Sequence, residues 1–196
     1  EMGALHASKI VRVVMAAILL PAMIPAVAAQ GAAEEAFLKN ITLASMDDHM
    51  VVSLRVEGAF TPQILALVQE GAQVQFTYRL RMYRDRRMWL DEKLIGIDLT
   101  HALLFDPVRK SYKVRRSWEQ PLWTETRSLA EARALMTQID KLPILSLARM
   151  QPGEGYELRA KVVLHQIRLP FYLRYVFYFV SLWDYETEWH SVFFLY

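Results

Sequence analysis

The chain has 196 residues, of which 54% belong to the hydrophobic set and 22% are charged. This composition supplies enough apolar material for a folded core and excludes an intrinsically disordered chain. The formal net charge is only +2, so the excess of Lys and Arg that is typical of nucleic-acid-binding proteins is missing. Because the chain has no cysteine, disulfides, thiolate metal sites, cysteine nucleophiles and a lipid-modified cysteine are excluded as well.

The first segment has the layout of a secretory signal. Lys9 and Arg12 precede the uncharged apolar run 13–20, and the small residues 26–29 follow two prolines. A membrane anchor is the alternative, but a span needs about 20 consecutive apolar residues and the two prolines interrupt this stretch. Cleavage after Ala29 is therefore predicted.

Residues 1–29 are therefore predicted to be a signal peptide, and residues 30–196 are predicted to form a single β-sandwich-like domain. The mature chain is expected to be periplasmic or secreted and to contain no transmembrane span. An uncleaved signal would instead tether the domain to the inner membrane, and this alternative stays open.

The first elements of the mature chain are predicted from alternation and from cap residues. Strands over residues 41–46 and 50–56 flank a short turn. A short helix follows, with Thr61 as its N-cap, Pro62 in its first position and Gly71 at its end.

Residues 73–86 form the clearest strand pattern of the chain. Apolar and polar side chains alternate, so one face is expected to be buried and the other exposed. A shift of one residue would bury two arginines, so the register is strongly specified. The face expected to be buried carries Val74, Phe76, Tyr78, Leu80 and Met82, and the opposite face carries Gln75, Thr77, Arg79, Arg81 and Tyr83.

The second half of the chain predicts one more helix and four more strands. A capping box of Ser128 and Glu131 begins the helix, Ile139 lies on its buried side, and Leu142-Pro143 is expected to end it. Together these elements predict a mainly β fold, an antiparallel β-sandwich with two short helical insertions. The strands are expected over residues 94–105, 111–118, 144–150 and 156–169.

Two short segments of the chain are specific enough to suggest a family. They are residues 58–62 (Gly-Ala-Phe-Thr-Pro) at the first helix and residues 183–189 (Trp-Asp-Tyr-Glu-Thr-Glu-Trp) near the end. From about Ile41 to about Phe193 the chain resembles a bacterial exported family known as domain of unknown function 4390. The resemblance implies an exported location and a shared fold, and no catalytic residue. Members are often encoded beside membrane sensor kinases, so it also implies an envelope partner of that kind.

Catalytic and metal-binding motifs are missing from the sequence. The histidines lack the i, i+4 spacing of a helical metal pair, and neither a Gly-x-Ser-x-Gly elbow nor a Gly-rich phosphate loop occurs. No cofactor and no metal site are therefore predicted. The alternative is an envelope hydrolase whose site is assembled in space from His101, His165, His190, Asp98 and Asp184.

A cluster of arginines lies at the end of the clearest strand and just after it. One interpretation is a docking face for an anionic lipid headgroup, a glycan or an acidic partner. The other is the solvated side of a strand, paired with cross-strand acids such as Glu92 or Asp98. The members of the cluster are Arg79, Arg81, Arg84, Arg86 and Arg87.

Residues 170–183 are unusually rich in aromatic side chains. The segment is too short for a membrane span, and a charged residue interrupts it. It could cover a lipid-like ligand or a partner surface. Alternatively it covers the core, with Trp183 and Trp189 packed in the sandwich and with Asp184 and Thr187 forming a turn cap.

These observations favour a non-enzymatic binding or interaction module of the bacterial envelope. The expected partner is an envelope protein such as a sensor kinase, or a lipid-like ligand, and not a nucleic acid. Arg79 and Arg81 are expected to select a carboxylate or phosphate, because the guanidinium fork matches those groups. Apolar contacts are expected from Phe171, Tyr175, Phe177 and Phe179.

Overall fold

The computed structural model describes residues 36–86, 90–168 and 185–196, except for the side chains of residues 165–168 and 185. The predicted signal segment and the aromatic residues Phe171, Tyr175, Phe177 and Phe179 lie outside these ranges. No helix in the described ranges is long and apolar enough to cross a membrane.

Strands dominate the described part of the chain. The two α-helices are α1 (Pro62–Gln69) and α2 (Leu129–Thr137), and a short 3-10 turn spans Leu147–Arg149. The strands are β1 (Phe37–Met46), β2 (His49–Glu57), β3 (Gln73–Arg84), β4 (Glu92–Asp106), β5 (Ser111–Arg116), β6 (Trp123–Thr126), β7 (Gln138–Ser146), β8 (Gly155–Arg168), β9 (Tyr185–Glu186) and β10 (His190–Leu195).

The strands form two antiparallel sheets. The smaller sheet has the order β1-β2-β7, and the larger has the order β10-β8-β3-β4-β5-β6, with β9 pairing with β8. One hydrophobic cluster takes in residues of both sheets and both helices, among them Val52, Phe76, Val68 and Met136. This arrangement confirms the predicted mainly β, antiparallel fold with two helical insertions.

Strand β3 confirms the register predicted from its alternation. It is paired with β4 on one side and with β8 on the other. Because each of its inward side chains is buried from both flanks, a polar side chain there would lose its hydration. The five residues expected to be buried, Val74, Phe76, Tyr78, Leu80 and Met82, are no more than 1% exposed.

Helix α1 has the predicted caps. Thr61 Oγ1 accepts a hydrogen bond from the Ile64 N–H at 3.3 Å, and Pro62 occupies the first turn, where its missing N–H costs nothing. Gly71 adopts φ 86°, a left-handed conformation that glycine tolerates best, and it stops the helix.

Helix α2 begins as predicted but ends earlier. Ser128 Oγ accepts from the Glu131 N–H at 3.3 Å, which is half of the predicted capping box. The prediction that the helix continues to Leu142-Pro143 is wrong, because residues from Gln138 onwards form β7 and pair with β2. Ile139 is buried as expected, but from a strand. Strand pairing has overridden a locally helical pattern.

The C-terminal part contains the largest differences from the sequence-based expectation. Strand β10 was not predicted and forms one border of the larger sheet. Trp189, which precedes it, is 44% exposed, so the expectation that this tryptophan packs inside the sandwich is wrong. Thr187 is buried, and its side chain accepts from the Val162 N–H at 3.1 Å, so it fastens the chain to β8.

Candidate functional site

The outer face of the larger sheet, which points away from the core cluster, carries most of the charges of its central strands. The alternation of β3 and β8 places these side chains there, opposite the buried apolar set. The face includes Arg79, Arg81 and Tyr83 of β3, Glu157, Arg159 and Lys161 of β8, Asp98 of β4, and Arg115 of β5.

Cross-strand register brings cations together on this face. Arg81 lies opposite Arg159, and Arg79 lies opposite Lys161. Directly opposed like charges destabilise a sheet, so each of these side chains benefits from a nearby carboxylate. The positions of the nearby carboxylates therefore determine which of these cations has no carboxylate partner.

The Nη1 atom of Arg81 is engaged within the sheet. This atom lies 2.7 Å from Asp98 Oδ1 and donates hydrogen bonds to the carbonyl oxygens of Leu80 at 2.9 Å and Ile97 at 3.0 Å. The pair with Asp98 is the one that the structural interpretation of the arginine cluster predicted. This guanidinium holds β3 and β4 together at the surface.

Arg159 is held by two acids and an aromatic ring. Its Nη2 atom lies 2.6 Å from Glu157 and 3.9 Å from Asp91, and the guanidinium carbon lies 4.6 Å from the centre of the Tyr83 ring. The hydrogen bond from Arg159, helped by one from Ser191, lowers the pKa of the Glu157 carboxyl. Lys161 is paired similarly, 2.6 Å from Glu186 and 5.6 Å from the Trp189 ring.

The arginines at the end of β3 are also neutralised. Arg84 and Arg86 both donate to the Glu92 carboxylate. The bond from Arg84 is the main cause of a lowered pKa at Glu92. This is the cross-strand pairing expected for the solvated side of a strand, while Arg87 lies outside the described residues.

Arg79 is the cation on β3 and β8 that has no carboxylate partner among the described residues. Asp98 lies opposite Arg79 in register, yet its carboxylate binds Arg81 instead. Within the described residues, no carboxylate forms an ion pair with Arg79, and its buried Nε atom has no hydrogen-bond partner. A half-buried guanidinium without an acceptor keeps its full charge available to an external anion.

Arg115 is a second such residue on the same face, and it was not among the site residues predicted from the sequence. Its Nε atom is also buried without a partner, and no described carboxylate is paired with it. Its guanidinium carbon lies 5.8 Å from the centre of the Trp123 ring, on the neighbouring strand β6. Only the alternation of β5, in which Tyr112 and Val114 are buried, indicates that Arg115 faces outwards.

His101 is buried in the core and is engaged there. Its Nδ1 lies 2.7 Å from the Met136 carbonyl oxygen, which also accepts from the Tyr78 hydroxyl at 2.6 Å. A carbonyl can only accept, so Nδ1 carries the proton and the buried Nε2 has no partner. Burial lowers the pKa of His101 to about 3, and the ring is therefore neutral.

The residues proposed for a hydrolase are not brought together where the structure describes them. His101 lies on the inner face of β4, Asp98 lies on its outer face, and His190 is exposed on β10. The side chains of His165 and Asp184 lie outside the described residues. Among the described residues, no group of three or more His, Asp or Glu is arranged to hold a metal ion.

A groove of about 360 Å³ lies between the start of β1 and the segment around β9. Phe37 and Trp189 contribute aromatic surface to it, and the two are 47% and 44% exposed. Glu186 and Glu188 line the same groove. Its lining is therefore acidic and aromatic, in contrast to the outer face, where the unpaired side chains are cationic.

The chain is thus an antiparallel β-sandwich whose distinguishing surface is the outer face of its larger sheet. The model of the family described as Domain of unknown function (DUF4390) matches residues 33–192, and the chain belongs to this family. The resemblance noted in the sequence is thereby confirmed. No curated protein and no solved structure matches the chain.

Proposed function

We propose that this protein is an exported, non-enzymatic binding module of the bacterial envelope that recognises a lipid-like ligand with an anionic headgroup. The observation that carries the proposal is the position of Arg79. It stands among paired charges without a carboxylate of its own in the described ranges, because Asp98 is bound to Arg81. Arg115 on the same face repeats this situation.

The chemistry of arginine explains why an anion would bind here. A planar guanidinium offers parallel donors that match the two oxygens of a carboxylate or phosphate. Burial of the Nε atoms of Arg79 and Arg115 removes part of the water that screens these charges, which strengthens their attraction for an anion. Arg81 is expected to keep the face in place, since its Nη1 atom already bonds within the sheet.

Aromatic side chains beside the charged strands favour a lipid-like ligand over a small soluble anion. Trp123 on β6 and Trp189 next to β10 are 42% and 44% exposed, on opposite sides of the charged strands. Tryptophan has an apolar body and a polar N–H, which suits the boundary between headgroup and acyl chain. Further apolar contacts are proposed from Phe171, Tyr175, Phe177 and Phe179.

The envelope location rests on the predicted signal segment at residues 1–29. A membrane sensor kinase is the protein partner that the family resemblance suggests. In that arrangement the domain would bind its ligand at the membrane surface and contact the kinase in the same compartment.

Vesicle sedimentation tests the proposed function. The purified protein is mixed with vesicles of one part phosphatidylglycerol to three parts phosphatidylcholine, or of phosphatidylcholine alone. The protein is expected to sediment with the anionic vesicles, to be released by added salt, and to stay in solution with the neutral ones. Arg79→Gln combined with Arg115→Gln is expected to lower the bound fraction at least about tenfold, the effect of a lost charge-assisted hydrogen bond at each site.

Arg109→Gln is the control for the loss of one positive charge, as in Arg79→Gln alone, because Arg109 has a 66% exposed side chain on a hairpin turn and lies 3.8 Å from Glu125. It removes one charge without touching an unpaired guanidinium, so binding is expected to stay within about twofold of the parent protein. Equal binding to neutral vesicles, or full binding by the double variant, would overturn the proposal. If the protein is recovered from envelope extract bound to an acidic protein and not to lipid, the result favours an acidic protein as the partner.

A further inference from the structure

Strand β10 lies at a border of the larger sheet and, unlike the other described border strands, lacks features that prevent a further strand from pairing with it. Border strands carry unpaired backbone N–H and C=O groups that can join a further strand, and proteins commonly protect them with charges, prolines or bulges. In the described chain β1, β6, β7 and the two-residue β9 are the other strands at sheet borders.

Each of these four strands has a protecting feature, and β9 is only 2 residues long and contains Glu186. The register of β1 is interrupted between Lys39 and Thr42, and Lys39 pairs with Glu57 at 3.0 Å. Strand β6 is only 4 residues long and contains Glu125. Strand β7 contains Pro143, which has no N–H to donate.

Strand β10 has none of these features. Its sequence, His-Ser-Val-Phe-Phe-Leu, contains no Lys, Arg, Asp, Glu or Pro, and its pairing with β8 is regular. Phe193 and Leu195 are 75% and 80% exposed, although both are large apolar residues. An unprotected border strand with exposed apolar side chains is typical of a surface that another strand covers.

The hydrogen bonds at the end of β10 define which backbone groups are open. The Tyr196 N–H donates to Glu154 at 3.2 Å, and the Tyr196 carbonyl accepts from Gly153 at 2.6 Å, so this residue faces β8. Backbone direction alternates along an antiparallel strand, so the N–H and C=O groups of Ser191, Phe193 and Leu195 point to the open border.

We propose that β10 pairs with β10 of a second copy of this chain, antiparallel and about a twofold axis at Phe193. In this register Phe193 lies opposite Phe193 of the partner subunit, and Ser191 lies opposite Leu195 of the partner subunit. Every outward backbone group of the strand then has a partner, and the pairing is reciprocal, as an isologous interface requires. The strand carries no charged side chain, so self-pairing opposes no like charges.

This pairing joins the larger sheets of the two copies into one continuous sheet. The twofold axis is perpendicular to the sheet, so both outer faces lie on the same side. The Phe193 rings of the two copies become cross-strand neighbours, which removes apolar surface from water. The inference is independent of the ligand that the outer face binds.

Cysteine cross-linking of the full protein tests the register. The chain has no cysteine, so Phe193→Cys introduces a single thiol that can form a disulfide only between copies. The Cα atoms of a hydrogen-bonded antiparallel pair lie about 5.5 Å apart, within the range of a disulfide. Mild oxidation is expected to convert most of this variant to a covalent dimer, whereas Val108→Cys, at a 91% exposed hairpin position, is expected to form no covalent link between the two copies.

Charge variants test the interface in solution by light scattering. The parent protein is expected to be a dimer, and Phe193→Lys and Phe193→Glu are each expected to be monomers, because like charges then meet on the axis. An equimolar mixture of the two variants is expected to restore a dimer, and Val108→Lys is expected to leave the parent dimer intact. A monomeric parent protein, or dimers that survive both charge variants, would overturn the inference. Unchanged circular dichroism separates lost pairing from unfolding.

Discussion

Tyr78 and His101, on neighbouring strands of the larger sheet, donate hydrogen bonds to the same carbonyl oxygen. The acceptor is Met136, one residue before the end of α2, and the two distances are 2.6 and 2.7 Å. The last carbonyls of a helix have no partner within the helix, so side chains must supply one when that end is buried. This pair of donors therefore fixes the point at which helix α2 passes into strand β7.

Removal of the Tyr78 hydroxyl is expected to destabilise the fold. Tyr78→Phe keeps the ring and removes one donor, so we expect a loss of about 0.5–1.5 kcal/mol in the free energy of unfolding. Urea denaturation measures this loss. Tyr112→Phe is the control, because the Tyr112 hydroxyl makes no hydrogen bond in the described chain, and a near-zero change is expected there. Equal losses in both variants would argue against a specific role for the shared carbonyl.

The stability of the protein is expected to fall when the pH is lowered from 6.5 to 4.5. His101 has its pKa lowered by burial from 6.5 to about 3, so the folded state resists protonation while the unfolded state accepts the proton. The contribution is complete above pH 6.5 and decreases by about 1.4 kcal/mol for each pH unit below it. Denaturation at several pH values measures the slope.

Two variants separate His101 from other titrating groups. His101→Phe is expected to be less stable than the parent protein but to lose most of this slope, while His190→Gln, at an exposed position, keeps it. The carboxyls of Glu92 and Glu157 have pKa values lowered from 4.5, so they contribute to pH dependence mainly below that value. A slope that survives in His101→Phe would contradict the assignment.

Arg79 and Arg81 are expected to differ in their effect on stability. Arg81→Met removes donors from Asp98, Leu80 and Ile97 and is expected to cost about 1 kcal/mol, an ordinary value for such contacts. Arg79→Met removes no hydrogen bond within the described residues, so its stability should stay within about 0.5 kcal/mol of the parent. Thermal melting of the two variants, side by side, gives the comparison; a larger loss for Arg79 would mean that this arginine is structural.

Trp189→Ala is expected to change stability only slightly, because this side chain is 44% exposed. We expect a loss below about 1 kcal/mol, against about 2–5 kcal/mol for Leu80→Ala at a fully buried position. The comparison is again made by thermal melting. A loss at Trp189 as large as that at Leu80 would show that the tryptophan contributes to the core.

The sequence predicted those elements whose own residues determine them. Strand β3 alternates over its whole length, and helix α1 carries both its N-cap and its terminal glycine, so local chemistry sufficed. The first part of β7 was predicted as helix because Ile139 fits the helical stripe, and only pairing with β2 makes it a strand residue.

The candidate site was predictable only in part. Alternation placed Arg79 and Arg81 on one face, but it gave no means of telling the paired arginine from the unpaired one. That difference arises because Asp98 reaches diagonally to Arg81 instead of to Arg79, which is a property of side-chain geometry. Arg115 was missed because only the pairing of β5 with β4 and β6 shows that it shares the outer face with Arg79 and has no described carboxylate partner.

Recognition of an anionic headgroup on the outer face is tested most directly by ¹H–¹⁵N NMR. The signals of the arginine Nε–H groups are followed while short-chain phosphatidylglycerol is added. Burial of the Nε–H groups of Arg79 and Arg115 is expected to slow their exchange with water and make them visible, and Arg79→Gln and Arg115→Gln assign them. We predict that both signals shift with phosphatidylglycerol, while the backbone N–H signal of Arg109, which donates to Asp106 Oδ1 at 3.1 Å, and all signals in short-chain phosphatidylcholine stay in place. Unmoved signals of Arg79 and Arg115, or equal shifts with both lipids, would contradict recognition of an anionic headgroup on the outer face.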